Sequence, residues 1–141
     1  MVDLPNQTGP MCDWPVVQVV EGAKACLQRL SSQAQCHLAT NAQESTEKQI
    51  RLALQRAGLS EYISHIFCRE NLGTGKNDPD YYRKIVNKLG VSSQQITMLG
   101  DSLERDVNPA LNAGIQAILF NPKGVEIACD IQVIASFKQL I

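Results

Sequence analysis

The sequence predicts an α/β fold, a three-layer sandwich in which helices cover both faces of a mostly parallel sheet. Three observations lead there. Short apolar runs bounded by polar or glycine-bearing turns recur along the chain. Amphipathic segments with helical spacing separate them, and parallel neighbours require such crossover connections, which are almost always right-handed. The chain is 141 residues long, with 44% hydrophobic and 19% charged residues and scattered Gly and Pro. That is enough for one domain burying about two-thirds of the surface its unfolded form exposes.

In chain order, residues 1–15 carry Pro5, Gly9, Pro10 and Pro15 among polar residues and read as an irregular arm; residues 16–141 read as the core domain. Val16 to Val20 is a β-branched strand candidate, and Ala23, Ala25, Cys26, Leu27 and Leu30 follow at helical spacing. Cys36 to Ala39 reads as a short buried strand that stops at Thr40-Asn41. From Ser45 to Ala57 an amphipathic helix is expected, closed by Gly58. Ser64 to Cys68 is the next strand, and Asn71 to Lys76 a glycine-bearing loop. Pro79 suits the first turn of a helix carrying Tyr82, Ile85, Val86 and Leu89 and stopped by Gly90. Ile96 to Leu99 is a strand, Arg105 to Ala113 a helix ended by Gly114, and Ile115 to Phe120 a strand. Ile131 to Ile134 forms a last short apolar piece before a helical turn around Phe137 to Leu140.

Charge and cysteine usage exclude several function classes. A net charge of -1 and a pI near 6.1 supply no basic field for a nucleic acid backbone or an anionic membrane. Five cysteines, Cys12, Cys26, Cys36, Cys68 and Cys129, show no CxxC pair and no Cys/His ligand spacing, so reduced thiols in a cytoplasmic protein are expected. His37 and His65 lie in apolar runs and read as packed strand residues rather than bases. Asp3, Asn6, Gln7 and Asp13 break up the first fifteen residues, so no signal peptide or membrane span is expected there.

In an open parallel sheet the ligand crevice lies beyond the carboxyl ends of the strands. Three polar groups fall there: Thr40-Asn41, Lys76, and Gly100-Asp101-Ser102 with Asp106 five residues on. Together they supply a hydroxyl, an ammonium and two carboxylates, a set suited to phosphoryl transfer. Carboxylates hold Mg²⁺ while leaving room for a substrate phosphate, and a lysine and a hydroxyl neutralise the remaining oxygens. Taken singly each has a structural alternative: Thr40 as a cap, Lys76 as a solvated loop charge, Asp101 and Asp106 as caps of the following helix.

The run Gly100-Asp101-Ser102-Leu103-Glu104-Arg105-Asp106, continuing to Ala110-Leu111-Asn112-Ala113-Gly114, resembles the fourth motif of the haloacid dehalogenase-like (HAD) hydrolases, GDSxxxD followed by AxxAG. Gly75-Lys76-Asn77-Asp78-Pro79 resembles their third motif, with Asn77 in place of the first proline, and Leu38-Ala39-Thr40-Asn41 their second. Glu21-Gly22-Ala23-Lys24 is similar to the segment that follows the inserted cap in cap-bearing members. The resemblance implies a Rossmann-like core without a complete cap, Mg²⁺ as cofactor and a phosphorylated small molecule as substrate. It implies Asp101 as a metal ligand and Asp106 as a second acid at or behind the metal. Thr40 with Asn41 would hold phosphate, and Lys76 would balance the charge of nucleophile and phosphate.

The first motif of that family, a DxDxT-type sequence whose first Asp is the nucleophile and whose second is the acid and base, has no counterpart. Asp3 and Asp13 follow no strand, and Pro5 occupies the second acid position after Asp3. If Val16 to Val20 filled the central strand, Glu21 would stand at its end as a remote substitute, displaced by one methylene and without an acid at Ala23. A phosphatase core truncated or degenerated in this way is expected to be weakly active or inactive. The rivals are an active small-molecule phosphatase using an unrecognised or partner-supplied carboxylate, a non-catalytic binding or scaffold domain, and, more remotely, a receiver-type domain. The empty central position also needs filling, by Val16 to Val20, by direct pairing of the flanking strands, or by a strand from another chain, including a second copy.

Overall fold

A computed structural model describes Met1, residues 7–128 and residues 130–141. Asp3, Pro5 and Cys129 lie outside the described residues. The chain divides into two compact units, residues 1–75 with 140–141, and residues 76–139.

The first unit contains helix α1 (Ala23–Ser31), strand β1 (Leu38–Ala39), helix α2 (Glu47–Arg56), strand β2 (Ile66–Phe67) and the short helix α3 (Arg69–Leu72). Its centre is α2. Thr46 caps this helix through a reciprocal box, its hydroxyl accepting from Gln49 N at 3.2 Å while its own N–H donates to the Gln49 side chain at 2.9 Å. The helix buries Ile50, Ala53 and Leu54, and Ile50 and Leu54 pack with Leu59, Ile63, Ile66 and Cys68. The β1–β2 ladder is parallel and only two residues long, Leu38 facing Ile66 and Ala39 facing Phe67.

Residues 11–15 lie against α2 through the guanidinium of Arg56, which donates to the carbonyls of Cys12, Trp14 and Pro15 at the helix's C-terminal end. Trp14 is buried, and its indole N–H is shared between the carbonyls of Thr8 and Gly9. The strand expected over Val16 to Val20 does not form: these residues have no ladder partner, and Val16 is 55% exposed. Val19 instead packs its side chain against the unit's core. The valine pattern therefore lies on an irregular, partly buried segment.

The second unit contains helix α4 (Tyr81–Leu89), strand β3 (Thr97–Gly100), a π turn (Leu103–Val107), helix α5 (Asn108–Asn112) and strands β4 (Gln116–Phe120) and β5 (Gln132–Ile134). The order β3-β4-β5 is parallel throughout, with Met98 opposite Ala117 and Leu119 opposite Val133. Val107, Ala117 and Leu119 form its core with Leu103, Ile127 and Ile131 around them. Helix α4 ends where Gly90 adopts φ 66°, a left-handed conformation that closes the last turn cheaply only for glycine.

The expected parallel α/β architecture is thus present, but its ladders form two sheets, β1-β2 and β3-β4-β5. Two boundaries also differ from expectation. The loop expected from Asn71 is preceded by a helical turn, because the side chain of Asn71 bonds back to Cys68 N and to the Ile66 carbonyl. The helix expected from Arg105 begins instead as a π turn at Leu103.

Candidate functional site

In the second unit, β3 ends on Gly100, and the chain turns through Asp101 and Ser102 into the π turn. The Ser102 hydroxyl accepts from Arg105 N at 3.2 Å, while Ser102 N donates to Asp106 Oδ2 at 3.1 Å. The loop and the turn therefore fix each other. A β-carbon on residue 100 would lie 2.4 Å from the Asp106 β-carbon, so only glycine lets Asp106 fold back over the strand end.

Asp106 is the buried acid of the unit, 4% exposed. Its Oδ1 receives the Lys76 ammonium at 2.7 Å. Burying a carboxylate is costly unless its lone pairs are satisfied, and Asp106 meets that condition with a bond to each oxygen, one of them from the part-buried Lys76. Tyr82, on α4, brings its hydroxyl to 2.9 Å from the Arg105 carbonyl and 3.5 Å from Asp106 Oδ1. Burial, with the Asp106 carboxylate beside it, pushes the Tyr82 phenol well above its ordinary range, so it acts as a neutral donor. Asp101 is exposed at the same strand end. Lys76, Asn77, Arg105 and Asn108 are among the residues lining a groove of about 870 Å³.

Thr40 and Asn41 lie in the first unit, directly after β1. The Thr40 hydroxyl accepts from Ala42 N at 3.2 Å, holding the turn that follows the strand. Asn41 Oδ1 accepts from the Arg69 guanidinium at 3.4 Å, and both side chains crowd Gly75, where a β-carbon would lie 2.6 Å from each. Arg69 was not singled out by the sequence; its only signal is its place just beyond a strand end. Tyr82 was visible only as an apolar helix position. Its hydroxyl carries the polar role.

His37 and His65 sit at the opposite, amino ends of β1 and β2. Their rings stack at 5.2 Å, and His65 N donates to His37 Nδ1 at 3.2 Å. Glu21 is exposed in the turn before α1, and the strand that would have presented it is not formed.

The donors at the β3 end suit a hard cation held by one or two carboxylates, with water and a phosphate completing its shell: Asp101 would hold Mg²⁺, with Asp106 at or behind it. Such an ion supplies Lewis-acid stabilisation of phosphate charge. No group of three or more His, Cys, Asp or Glu side chains converges among the described residues.

A family model for haloacid dehalogenase-like hydrolases matches residues 14–114, which include Thr40, Lys76, Asp101 and Asp106. The chain belongs to the haloacid dehalogenase-like hydrolases. A pyrimidine 5′-nucleotidase, PynA of Streptococcus pneumoniae, is 39% identical over 74 residues, which is 52% of this chain and 31% of that protein. A phosphoserine phosphatase of Thermus thermophilus is 31% identical over 87 residues, 59% of this chain and 35% of that protein. The solved structure of the HAD-hydrolase YfnB from Bacillus subtilis, bound to magnesium, shares the fold with a TM-score of 0.77. It is 23% identical, over 87% of this chain and 54% of that one. This HAD-type chain thus spans about a third of the length of the two curated relatives.

Proposed function

We propose that this chain is a cytoplasmic HAD-type protein related to magnesium-dependent phosphomonoesterases, with a site for magnesium and for the phosphate of a small molecule. As given, it turns over such esters slowly or not at all. The observation that carries the reading is the buried Lys76–Asp106 pair locked beneath the Gly100-Asp101-Ser102 turn. An ammonium fixed on a carboxylate at a strand's carboxyl end suits charge balance around a phosphate as well as holding the loop. Thr40 and Asn41 would supply phosphate hydrogen bonds. The missing DxDxT sequence removes both the covalent route and its proton transfer, which together account for several powers of ten in rate.

A second reading, a binding or scaffold domain, is favoured by one observation: β3 is a terminal strand of its sheet. A second copy, or another chain, would complete the sheet there. Hydrolysis of p-nitrophenyl phosphate with and without Mg²⁺, in wild type, Asp101→Asn and Glu21→Gln of measured oligomeric state, separates the readings. We expect turnover near background in all three. Magnesium-dependent turnover abolished by Asp101→Asn would overturn the low-activity reading in favour of an active phosphatase, and its loss in Glu21→Gln as well would identify the nucleophile.

A further inference from the structure

In an α-helix the Arg105 carbonyl would accept from the N–H of residue 109. That residue is Pro109, which has no N–H and whose ring pushes against the carbonyl four residues back. The segment responds by widening: Val107 N reaches Ser102 O at 3.1 Å, and the N–H of Asn108 reaches the Leu103 carbonyl, both five residues back. The Arg105 carbonyl is left to an outside donor, the hydroxyl of Tyr82 at 2.9 Å. Tyr82 is 1% exposed, and its ring is wedged edge-on against Tyr81 at 5.0 Å, so the hydroxyl has little freedom to go elsewhere. Its one proton is committed to that carbonyl; the 3.5 Å approach to Asp106 is too long to count as a second strong bond. The residue after the clamped carbonyl is Asp106.

We infer that Tyr82 is a positioning residue of the candidate centre: its hydroxyl clamps the Arg105 carbonyl and so fixes in place the π turn that Pro109 opens and that presents Asp106 to Lys76. The inference rests on the reading of this centre as a magnesium and phosphate site. The same wide turn brings the Asp106 carboxylate onto Ser102 N and over Gly100, so its geometry depends on how far the turn is opened. A phenylalanine at position 82 would fill the same space and leave the Arg105 carbonyl without a donor, since Pro109 offers it no N–H, so the turn must shift to let that carbonyl reach water.

The test compares wild type with Tyr82→Phe, Pro109→Ala and the double variant. Three quantities are read: Mg²⁺ affinity by calorimetric titration, the Asp106 ¹³Cγ and Lys76 ¹⁵Nζ resonances at fixed pH without metal, and the thermal midpoint. Tyr82→Phe is expected to weaken Mg²⁺ binding roughly ten-fold, as loss of a supporting hydrogen bond behind a ligand commonly does, and to displace both resonances. In the double variant, residue 109 regains an N–H for the Arg105 carbonyl. The thermal midpoint should recover while Mg²⁺ binding stays weak and the resonances stay displaced. The inference is overturned if Tyr82→Phe leaves both resonances in place, or if the double variant recovers Mg²⁺ affinity together with the midpoint. Wild type that binds no Mg²⁺ would sink the magnesium reading, and the metal-free resonances would then decide on Tyr82 alone.

Discussion

The two units place polar groups at strand ends in different ways. In the first, the ladder is two residues long, Thr40 and Asn41 follow a half-buried strand, the Thr40 hydroxyl accepts from Ala42 N two residues on, and Asn41 meets an arginine just beyond β2. In the second, a four-residue β3–β4 register ends on Gly100, beside a buried carboxylate held by Lys76 and by Ser102 N, while α4 bonds the Arg105 carbonyl just before it. Buried charge makes local geometry all-or-none, because any lost partner leaves a group that water cannot reach. The chemistry of the second unit is therefore built into its stability, and that of the first is largely separable from it.

The largest expected effect follows directly. Lys76→Met leaves the Asp106 carboxylate buried without its cation and should cost about 3–5 kcal/mol in urea unfolding, whereas adding Asp106→Leu should return most of that loss. Thr40→Val, at the matching strand end of the first unit, should cost about 1 kcal/mol or less, since its hydroxyl serves one part-buried turn. Equal costs for Lys76→Met and Thr40→Val would erase the contrast between the units.

A smaller effect tests whether the first unit is stabilised through α2 rather than through its short ladder. Thr46→Ala removes one half of the capping box and should cost about 1 kcal/mol, read as a lowered urea midpoint without a change in slope. A substitution at Leu38, in the ladder, that proved cheaper than Thr46→Ala would sharpen the point.

How much of this was legible in the sequence follows the same division. Helices α1, α2 and α4 and strands β3, β4 and β5 fall within a few residues of their expected places, because their apolar spacing, caps and closing glycines are local signals. The spacing of two motifs singles out Lys76 and Asp106, which pair, and Asp101, which stands exposed at the end of β3. The Val16 to Val20 strand was not observed: β-branched residues signal burial as readily as pairing, and pairing needs a neighbour that sequence alone does not supply. The π turn was also missed. Pro109 announces a disturbed helix, but the donor that settles its form, Tyr82, lies 23 residues from Arg105 in the chain. Arg69 was invisible for a similar reason, since its tie to Asn41 spans 28 residues.

The smallest expected effect lies at the amino ends of β1 and β2. Burial, helped by the neighbouring His65, pushes the His37 imidazole below its ordinary value of 6.5. The geometry agrees with that direction. His37 Nδ1 accepts the His65 N–H, which it can do only while unprotonated, and the stacked rings would repel if both were charged. Because the folded value is depressed, the folded state binds the proton less readily than the unfolded chain. The contribution to stability is complete above 6.5 and declines as pH falls from 6.5 toward the folded value. Urea midpoints measured from pH 7.5 to 5 should fall more steeply in wild type than in His37→Gln, whose amide oxygen can accept the same bond at every pH. The Lys76–Asp106 centre should be indifferent to this substitution. Parallel pH profiles for wild type and His37→Gln would show that the two-residue ladder gains nothing from its histidines, and would leave α2 alone as the element that orders the first unit.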